Sequence, residues 1–189
     1  MPNGFNPEGF SNGVFYANAT DEAENANPLA GIQNMNSGNW NSTSNSDAVW
    51  AKYYNAIYKV NLFLEKTKET TYETFEPGAR AIQLETLEYY KSEARFFRTL
   101  YYYELIKHYG GVVLVGDAAV HNIADLQNAE YKVDRSSFEE CAQYIIDECN
   151  YLIDNEMLPL IDEGADQGRP NGTATKAIKC KTLLLLTSP

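Results

Sequence analysis

The sequence predicts an all-α fold made of antiparallel helical hairpins, and three features support this prediction. Apolar residues recur at three- and four-residue steps in four separate stretches, as they do along one face of a helix. Gly, Pro, Asn and Ser cluster between those stretches, where turns are expected. The chain has 189 residues, of which 44% are hydrophobic and 13% aromatic, so it can bury one sizeable core.

The first 46 residues differ in composition from the rest of the chain and predict a loop-rich lead. They include eleven Asn residues and show little periodicity, a composition that favours turns and hydrogen bonds from side chains to the backbone. One short helix is expected near residues 10–17. The predicted organisation is therefore a loop-rich lead at residues 1–46 and a helical scaffold at residues 47–188.

Two scaffold helices are predicted between residues 47 and 110. The first covers about residues 47–68, with Ser46 as a candidate N-cap. Pro77 and Gly78 then mark a turn, and a longer helix follows that ends where Gly110 supplies a left-handed residue. The apolar stripes are Trp50, Tyr53, Ile57, Val60 and Leu64 in the first helix, and Leu84, Leu87, Tyr90, Ala94, Phe97, Tyr101 and Leu105 in the second.

The third and fourth helices have clear start signals. Two overlapping capping boxes, Ser136 with Glu139 and Ser137 with Glu140, predict the start of the third helix. The fourth helix is expected to start near Thr173, after a turn rich in Gly, Pro and Asn.

The order of the helices suggests how they pack. Pairing the first with the second and the third with the fourth gives two antiparallel hairpins, each with an apolar face that the next must cover, as in tetratricopeptide-like stacks. Residues 111–116 lie between the hairpins and predict an extended segment without a partner strand. The predicted fold class is thus all-α, a tetratricopeptide-like α-α superhelix with a loop-rich N-terminal segment.

Charge and composition argue against several kinds of function. The net charge is −11 and the pI is near 4.6, and no basic patch is clustered in the sequence, so a nucleic-acid partner is not expected. Only two His are present, without metal-ligand spacing, so no metal or other cofactor is predicted. The three cysteines, Cys141, Cys149 and Cys180, are predicted to be buried thiols.

No catalytic pair of carboxylates is predicted, so the chain is not expected to be an enzyme. A hydrolase of this kind would need two carboxyl groups across a cleft, one of them with a pKa raised by burial. Glu104 and His108 predict only a contact within the second helix. The other acids are expected on solvated helix faces or in local ion pairs: Glu85, Glu88 and Glu93 on the second helix and Asp147, Glu148 and Asp154 on the third.

The run from Ser92 to Gly111 is the most distinctive part of the sequence. Its aromatic residues recur at helical spacing and are predicted to pack between helices, so Phe97→Ala is expected to destabilise the fold. Arg95 and Arg98 are predicted to pair with buried or interfacial acids and to stack on rings. The aromatic residues concerned are Phe96, Phe97, Tyr101 and Tyr102.

This run resembles the signature helix of the RagB/SusD family. The resemblance extends to three further patches: Thr20-Asp21-Glu22, the Trp50 to Leu64 helix with Asn61, and Gly168-Arg169 followed by Thr175-Lys176-Ala177. It implies that residues 1–189 are the N-terminal helical domain of a longer SusD-like protein, whose lipoprotein signal and acylated cysteine are absent from this chain.

The resemblance also implies a function. Family members are surface-exposed lipoproteins of the bacterial outer membrane that bind an oligosaccharide or polysaccharide without changing it. They pass this nutrient to a SusC-like TonB-dependent transporter. Attachment to the membrane would be only through the N-terminal lipid anchor. The alternative is a helical-repeat scaffold that binds protein partners.

Sugar contacts are expected from loops that the helical scaffold holds, not from the signature helix. The Asn-rich segment offers amide donors and acceptors and one indole ring, and in the family the region after the Thr-Asp-Glu patch contributes to the glycan site. The predicted ligand-binding residues are Asp21, Glu22, Asn25, Asn27, Asn39, Trp40 and Asn41.

Overall fold

Among the residues that the structure describes, four α-helices follow one another in the order that the periodicity predicts. The computed structural model describes residues 20–21, 36–39, 41, 49–116, 134–161 and 164–187, so the predicted helix at residues 10–17 and the N-cap at Ser46 lie outside the described residues. The predicted all-α class is confirmed. The helices are α1 (Trp50–Thr67), α2 (Pro77–Tyr109), α3 (Phe138–Asp154) and α4 (Gly172–Leu186), with a short 3₁₀ turn at Gly164–Asp166.

The ends of α2 differ in part from the sequence prediction. Pro77 and Gly78 are the first two residues of the helix, so the predicted turn there is wrong. Proline suits this position because the first N–H groups of a helix have no intrahelical partner. At the other end, Gly110 has the predicted positive φ, +67°, but its ψ of −129° lies outside the left-handed helical region. Its N–H donates to the Ile106 carbonyl at 3.0 Å.

The start of α3 is fixed by one of the two predicted capping boxes. The Ser137 hydroxyl accepts the Glu140 N–H at 3.2 Å, and the Glu140 carboxylate accepts the Ser137 N–H at 2.7 Å. The hydrogen bonds from Ser137 lower the pKa of the Glu140 carboxyl. Ser136 contributes through its backbone, since its N–H donates to the Val112 carbonyl at 2.9 Å. This bond ties the start of α3 to the segment that follows α2.

Replacing Ser137 with alanine should therefore destabilise the fold, because the first turn of α3 loses its cap. The expected loss is about 1 kcal/mol, the usual cost of removing an N-cap side chain. Ser136→Ala is the matched control and should change the free energy of unfolding little, because its backbone bond remains. Urea denaturation of both variants measures the difference, and equal losses would contradict the assignment of Ser137 as the cap.

Helix α2 packs against both α3 and α4. Helix α3 also packs along α4, which confirms the predicted pairing of the third and fourth helices. Along α2 and α3, residue numbers fall on one helix as they rise on the other, so these helices are antiparallel. Three contacts between them show this: Tyr102 with Tyr144, Arg98 with Glu148, and Arg95 with Tyr151.

Side-chain contacts connect α1 to α2. Asn61 is hydrogen-bonded to Arg98, and the Tyr53 ring stacks against Tyr101. These contacts support the predicted neighbourhood of the first two helices. The chain divides into two units, Met1–Ala51 and Lys52–Pro189, and both of these contacts lie within the second unit.

The cysteines follow the prediction in two of three cases. Cys141 and Cys149 are buried and Cys180 is exposed, so the prediction for Cys180 is wrong. Helix α4 buries Thr175, Ile178 and Thr182, and Cys180 falls outside that stripe. Burial raises the pKa of the Cys149 thiol to about 12, which keeps it uncharged.

Candidate functional site

Three of the seven predicted ligand-binding residues lie within the described part of the chain. Asp21, Asn39 and Asn41 are all exposed. The Asn39 amide donates to the Ser37 hydroxyl at 2.9 Å, and the Asn41 amide donates to the Asn39 carbonyl at 3.5 Å. Short-range bonds therefore bring the two asparagines together. The other four, Glu22, Asn25, Asn27 and Trp40, lie outside the described residues.

A charged network is buried where α1, α2 and α3 meet the segment after α2. Arg98 is fully buried, and its Nη1 donates to Asn61 Oδ1 at 2.9 Å and to the Gly116 carbonyl at 3.3 Å. Its Nη2 donates to Glu148 Oε2 at 3.3 Å. The Asn61 amide donates to the same Gly116 carbonyl at 3.0 Å. Because a buried charge is costly unless it is paired and hydrogen-bonded, these groups hold one another in a single arrangement.

The Glu148 carboxylate binds two arginines. Its second carboxylate oxygen accepts from Arg95 Nη2 at 2.8 Å, and the Arg95 guanidinium carbon lies 4.2 Å from the centroid of the Tyr151 ring. The prediction that Arg95 and Arg98 pair with acids and stack on rings is confirmed. The prediction that Glu148 lies on a solvated face or in a local ion pair is wrong. It is 9% exposed, because it falls on the side of α3 that packs on α2, and its two partners are 53 and 50 residues away in the sequence.

Two buried tyrosines fix the segment between Gly111 and Gly116. The Tyr54 hydroxyl donates to the Val113 carbonyl at 2.8 Å, and the Tyr102 hydroxyl accepts the Val115 N–H at 2.9 Å. Burial raises the pKa of both hydroxyls, that of Tyr102 to about 12, so both stay protonated at neutral pH. Residues 111–116 belong to no helix or strand, and side chains satisfy several of their backbone groups.

A second ion pair holds the turn before α4 against α2. Arg169 donates to both oxygens of Glu93, at 2.8 and 2.7 Å, a bidentate geometry. Its guanidinium carbon also lies 5.1 Å from the Tyr89 ring centroid and 5.4 Å from that of Tyr90. These contacts raise the pKa of the Arg169 guanidinium, mainly through the hydrogen bonds to Glu93. The prediction that Glu93 is solvated or locally paired is wrong, since Arg169 lies 76 residues away.

Three aromatic rings, termed the aromatic array, form a continuous row across α1 and α2: Tyr53, Tyr101 and Phe97. The Tyr53 and Tyr101 centroids are 5.7 Å apart with planes 29° from parallel, and those of Tyr101 and Phe97 are 6.2 Å apart with planes 21° from parallel. Phe97 is 37% exposed, so the prediction that it is a packed core residue is wrong. Its neighbours Phe96 and Tyr102 are buried, as predicted.

The predicted contact between Glu104 and His108 is present. The His108 Nδ1 lies 2.8 Å from the Glu104 backbone carbonyl, and the Glu104 carboxylate pairs with Lys107. Across the described ranges, no group of three or more His, Cys, Asp or Glu side chains is placed to hold a metal ion. Among the described helices, none is long and apolar enough to span a membrane.

The fold and these contacts define a class of protein: a tetratricopeptide-like helical scaffold in which ion pairs and tyrosines fix the connecting segments. A SusD-like family model, described as "Starch-binding associating with outer membrane", matches residues 8–184. The chain belongs to this SusD/RagB family.

Individual relatives agree with this assignment. A SusD-like protein from Bacteroides ovatus is 25% identical over 140 residues, which are 74% of this chain and 22% of that protein. A solved SusD-like protein from Bacteroides fragilis is 28% identical with a TM-score of 0.63, covering 80% of this chain and 26% of that one. The chain thus spans about a quarter of the length of these relatives.

Two more distant structures share the fold. Surface glycan-binding protein A from Bacteroides uniformis is 18% identical with a TM-score of 0.63, covering 85% of this chain and 33% of that one. A structure described with a xylogluco-oligosaccharide is 19% identical with a TM-score of 0.53, covering 94% of this chain and 30% of that one.

Proposed function

We propose that this chain is the N-terminal helical part of a surface protein that binds a glycan without changing it. The observation that carries the proposal is the family match over residues 8–184, because that family is described by starch binding and by association with the outer membrane. Structural neighbours named for surface glycan binding and for a xylogluco-oligosaccharide share the fold. We therefore propose an oligosaccharide or polysaccharide as the ligand class.

The proposed location of the protein in the cell rests on the same family match. We propose an outer-membrane lipoprotein in the full-length form, exposed at the cell surface, that delivers its glycan to a SusC-like TonB-dependent transporter. The family match favours this function over that of a general protein-binding scaffold.

The contacts of Glu148 and Glu93 are also consistent with a binding role. Glu148 is the acid that α3 buries, and it is bonded to two arginines. Glu93 is held by Arg169 in a bidentate pair. A glycan hydrolase would need acids that face a substrate across a cleft. These two carboxylates stabilise the contacts between elements instead.

For the sugar site we propose the loop-rich lead, within residues 1–46. The amides of Asn39 and Asn41 are exposed and held close together by short-range bonds, and amides supply both donors and acceptors for sugar hydroxyls. The proposed site comprises Asp21, Glu22, Asn25, Asn27, Asn39, Trp40 and Asn41.

Trp40→Ala in the natural full-length protein tests this site. A stacked indole contributes about 1 to 3 kcal/mol by analogy with other ring-stacking sites, so we expect affinity for the cognate glycan to fall by that amount. The melting temperature should not change. Calorimetry measures the affinity, and a thermal melt measures the melting temperature. The control is Phe75→Ala, which changes an exposed aromatic residue between α1 and α2. If Trp40→Ala binds the glycan normally but has a lower melting temperature than the wild type, Trp40 is a core residue and the site lies elsewhere in the protein.

A further inference from the structure

Helix α4 has an outward face that is exposed to solvent. The helix buries Thr175, Ile178 and Thr182 on its inner side, and α2 and α3 pack against the helix. Away from that inner side, Leu183 is 43% exposed and Leu184 is 70% exposed. Exposed apolar side chains that share one surface are typical of a place where another element or molecule packs.

Further exposed apolar residues lie near the other end of the helix. Leu160 is 57% exposed and Ile161 is 66% exposed. The Leu160 carbonyl accepts the Thr173 N–H at 3.2 Å and the Thr173 hydroxyl at 2.7 Å, so Leu160 lies beside the first turn of α4. Apolar residues are therefore exposed at both ends of α4, and the rise from Thr173 to Leu184 is about 16 Å at 1.5 Å per residue.

The exposed residues between these ends follow the spacing of a helix-packing seam. Steps of three and four residues keep side chains on one side of a helix, which is the pattern by which two helices pack. Threonine, alanine and cysteine are small, so the backbone of a second helix could come close. The residues at these steps, termed the α4 seam, are Thr173, Ala177, Cys180 and Leu184, and all four are exposed.

The charges of α4 indicate which kind of helix fits the seam. Helix α4 carries three lysines and no acidic residue, although the net charge of the chain is −11. Lys176 and Lys181 are exposed, and with 3.6 residues per turn they lie about 70° to either side of the centre of the seam. Helix α3, which already packs on α4, has five acidic residues and no lysine or arginine. The same complementarity favours an acidic helix on the outward face.

We propose that the α4 seam is the docking site of an amphipathic helix that has Asp or Glu on both sides of its apolar stripe, and that the rest of the full-length protein supplies this helix. The inference rests on the proposed function, in which this chain is part of a longer protein. The chain spans only 22% and 26% of the two relatives described above. In a tetratricopeptide-like stack, each helical pair packs on the next, and the lysines add a charge requirement to that packing.

Cys180 allows a direct test because it lies within the seam, whereas Cys141 and Cys149 are buried. The natural full-length protein is treated with N-ethylmaleimide, and modification of Cys180 is followed by mass spectrometry of its peptide. We expect Cys180 to react at least about tenfold more slowly than in the same protein unfolded in urea, because a covered side chain reacts only after local opening. Reaction at the rate of the unfolded protein would overturn the inference.

Charge reversal tests the acidic flanks. Lys176→Glu combined with Lys181→Glu should speed the reaction of Cys180 in the full-length protein, because like charges would then meet across the seam. Lys59→Glu combined with Lys66→Glu reverses two exposed lysines of α1 and is the matched control, which should leave that rate unchanged. If the two pairs change the rate equally, the acidic flanks are wrong. If the reversed protein does not fold, the same comparison is made with glutamine at residues 176 and 181.

Glycan retention separates this inference from the proposed function. If the full-length protein retains a polysaccharide and its Cys180 reacts freely, the inference is overturned and the proposed function stands. If Cys180 is protected but the protein retains neither starch nor xyloglucan, the seam assignment is supported and the proposed function is contradicted. Protection that appears only after a separate protein or lipid vesicles are added would mean that the seam binds another partner, which also overturns the inference.

Discussion

Glu148→Ala is expected to destabilise the protein by about 3 to 5 kcal/mol, the usual cost of removing one partner from a buried ion pair. Arg95 and Arg98 share this carboxylate, one on each oxygen. Arg98 is fully buried, so its charge would remain in the core without its carboxylate. Chemical denaturation measures the change in the free energy of unfolding.

Two further variants sharpen this test. Asp147 is the neighbouring acid on α3, is exposed, and bonds only locally to Gln143 among the contacts of the described residues, so Asp147→Ala should stay within about 0.5 kcal/mol of the wild type. Replacing Glu148, Arg95 and Arg98 together with leucine or methionine should recover much of the lost stability, because no unpaired charge is left. Equal effects of Glu148→Ala and Asp147→Ala would contradict the buried network.

Gly111→Ala is expected to cost about 3 kcal/mol or more, at the upper end of the cost of overpacking. A Cβ at Gly111 would lie 2.3 Å from the Ser136 carbonyl oxygen and 3.3 Å from the Phe138 nitrogen. Both are backbone atoms at the start of α3, so neither can move away by a change of rotamer, as a side-chain atom could. The segment after α2 and the start of α3 would have to separate, and the hydrogen bond from Ser136 to Val112 would be lost.

Gly78→Ala provides the matched control. Gly78 lies in the first turn of α2, and a Cβ there would meet nothing within 4 Å. Alanine is the better helix former by up to about 1 kcal/mol, so this variant should be neutral or slightly more stable. Thermal melts of the two variants should therefore shift in opposite directions. A Gly111→Ala protein as stable as Gly78→Ala would show that the close approach to Ser136 is not maintained.

Local signals in the sequence predict most of the scaffold. Helical periodicity predicts the four helices, and the serine-glutamate spacing predicts the capping box at Ser137 and Glu140. Arg95 and Arg98 of α2 are predicted to have acidic partners because aromatic residues flank them. These features depend on neighbours within one or two helical turns, which is why a single sequence reveals them.

Long-range contacts could not be predicted in the same way. Glu148 and Asp147 are adjacent, and only the packing of α3 on α2 makes the first buried and the second exposed. The partner of Glu93 is 76 residues away. Phe97 follows the apolar spacing of α2, yet its side chain is partly exposed. For the candidate site, residue types indicate amides and an indole, but no periodic signal in the sequence predicts how the seven residues are arranged in space.

The central claim, that the protein binds a glycan without changing it, is tested most directly by one incubation. The natural full-length protein is mixed with starch and with xyloglucan, bound polysaccharide is measured by retention on the immobilised protein, and the soluble fraction is analysed for shorter sugars by chromatography. We predict retention of at least one polysaccharide and no release of shorter sugars. Release of shorter sugars by the pure protein, or retention of neither polysaccharide, would contradict the claim.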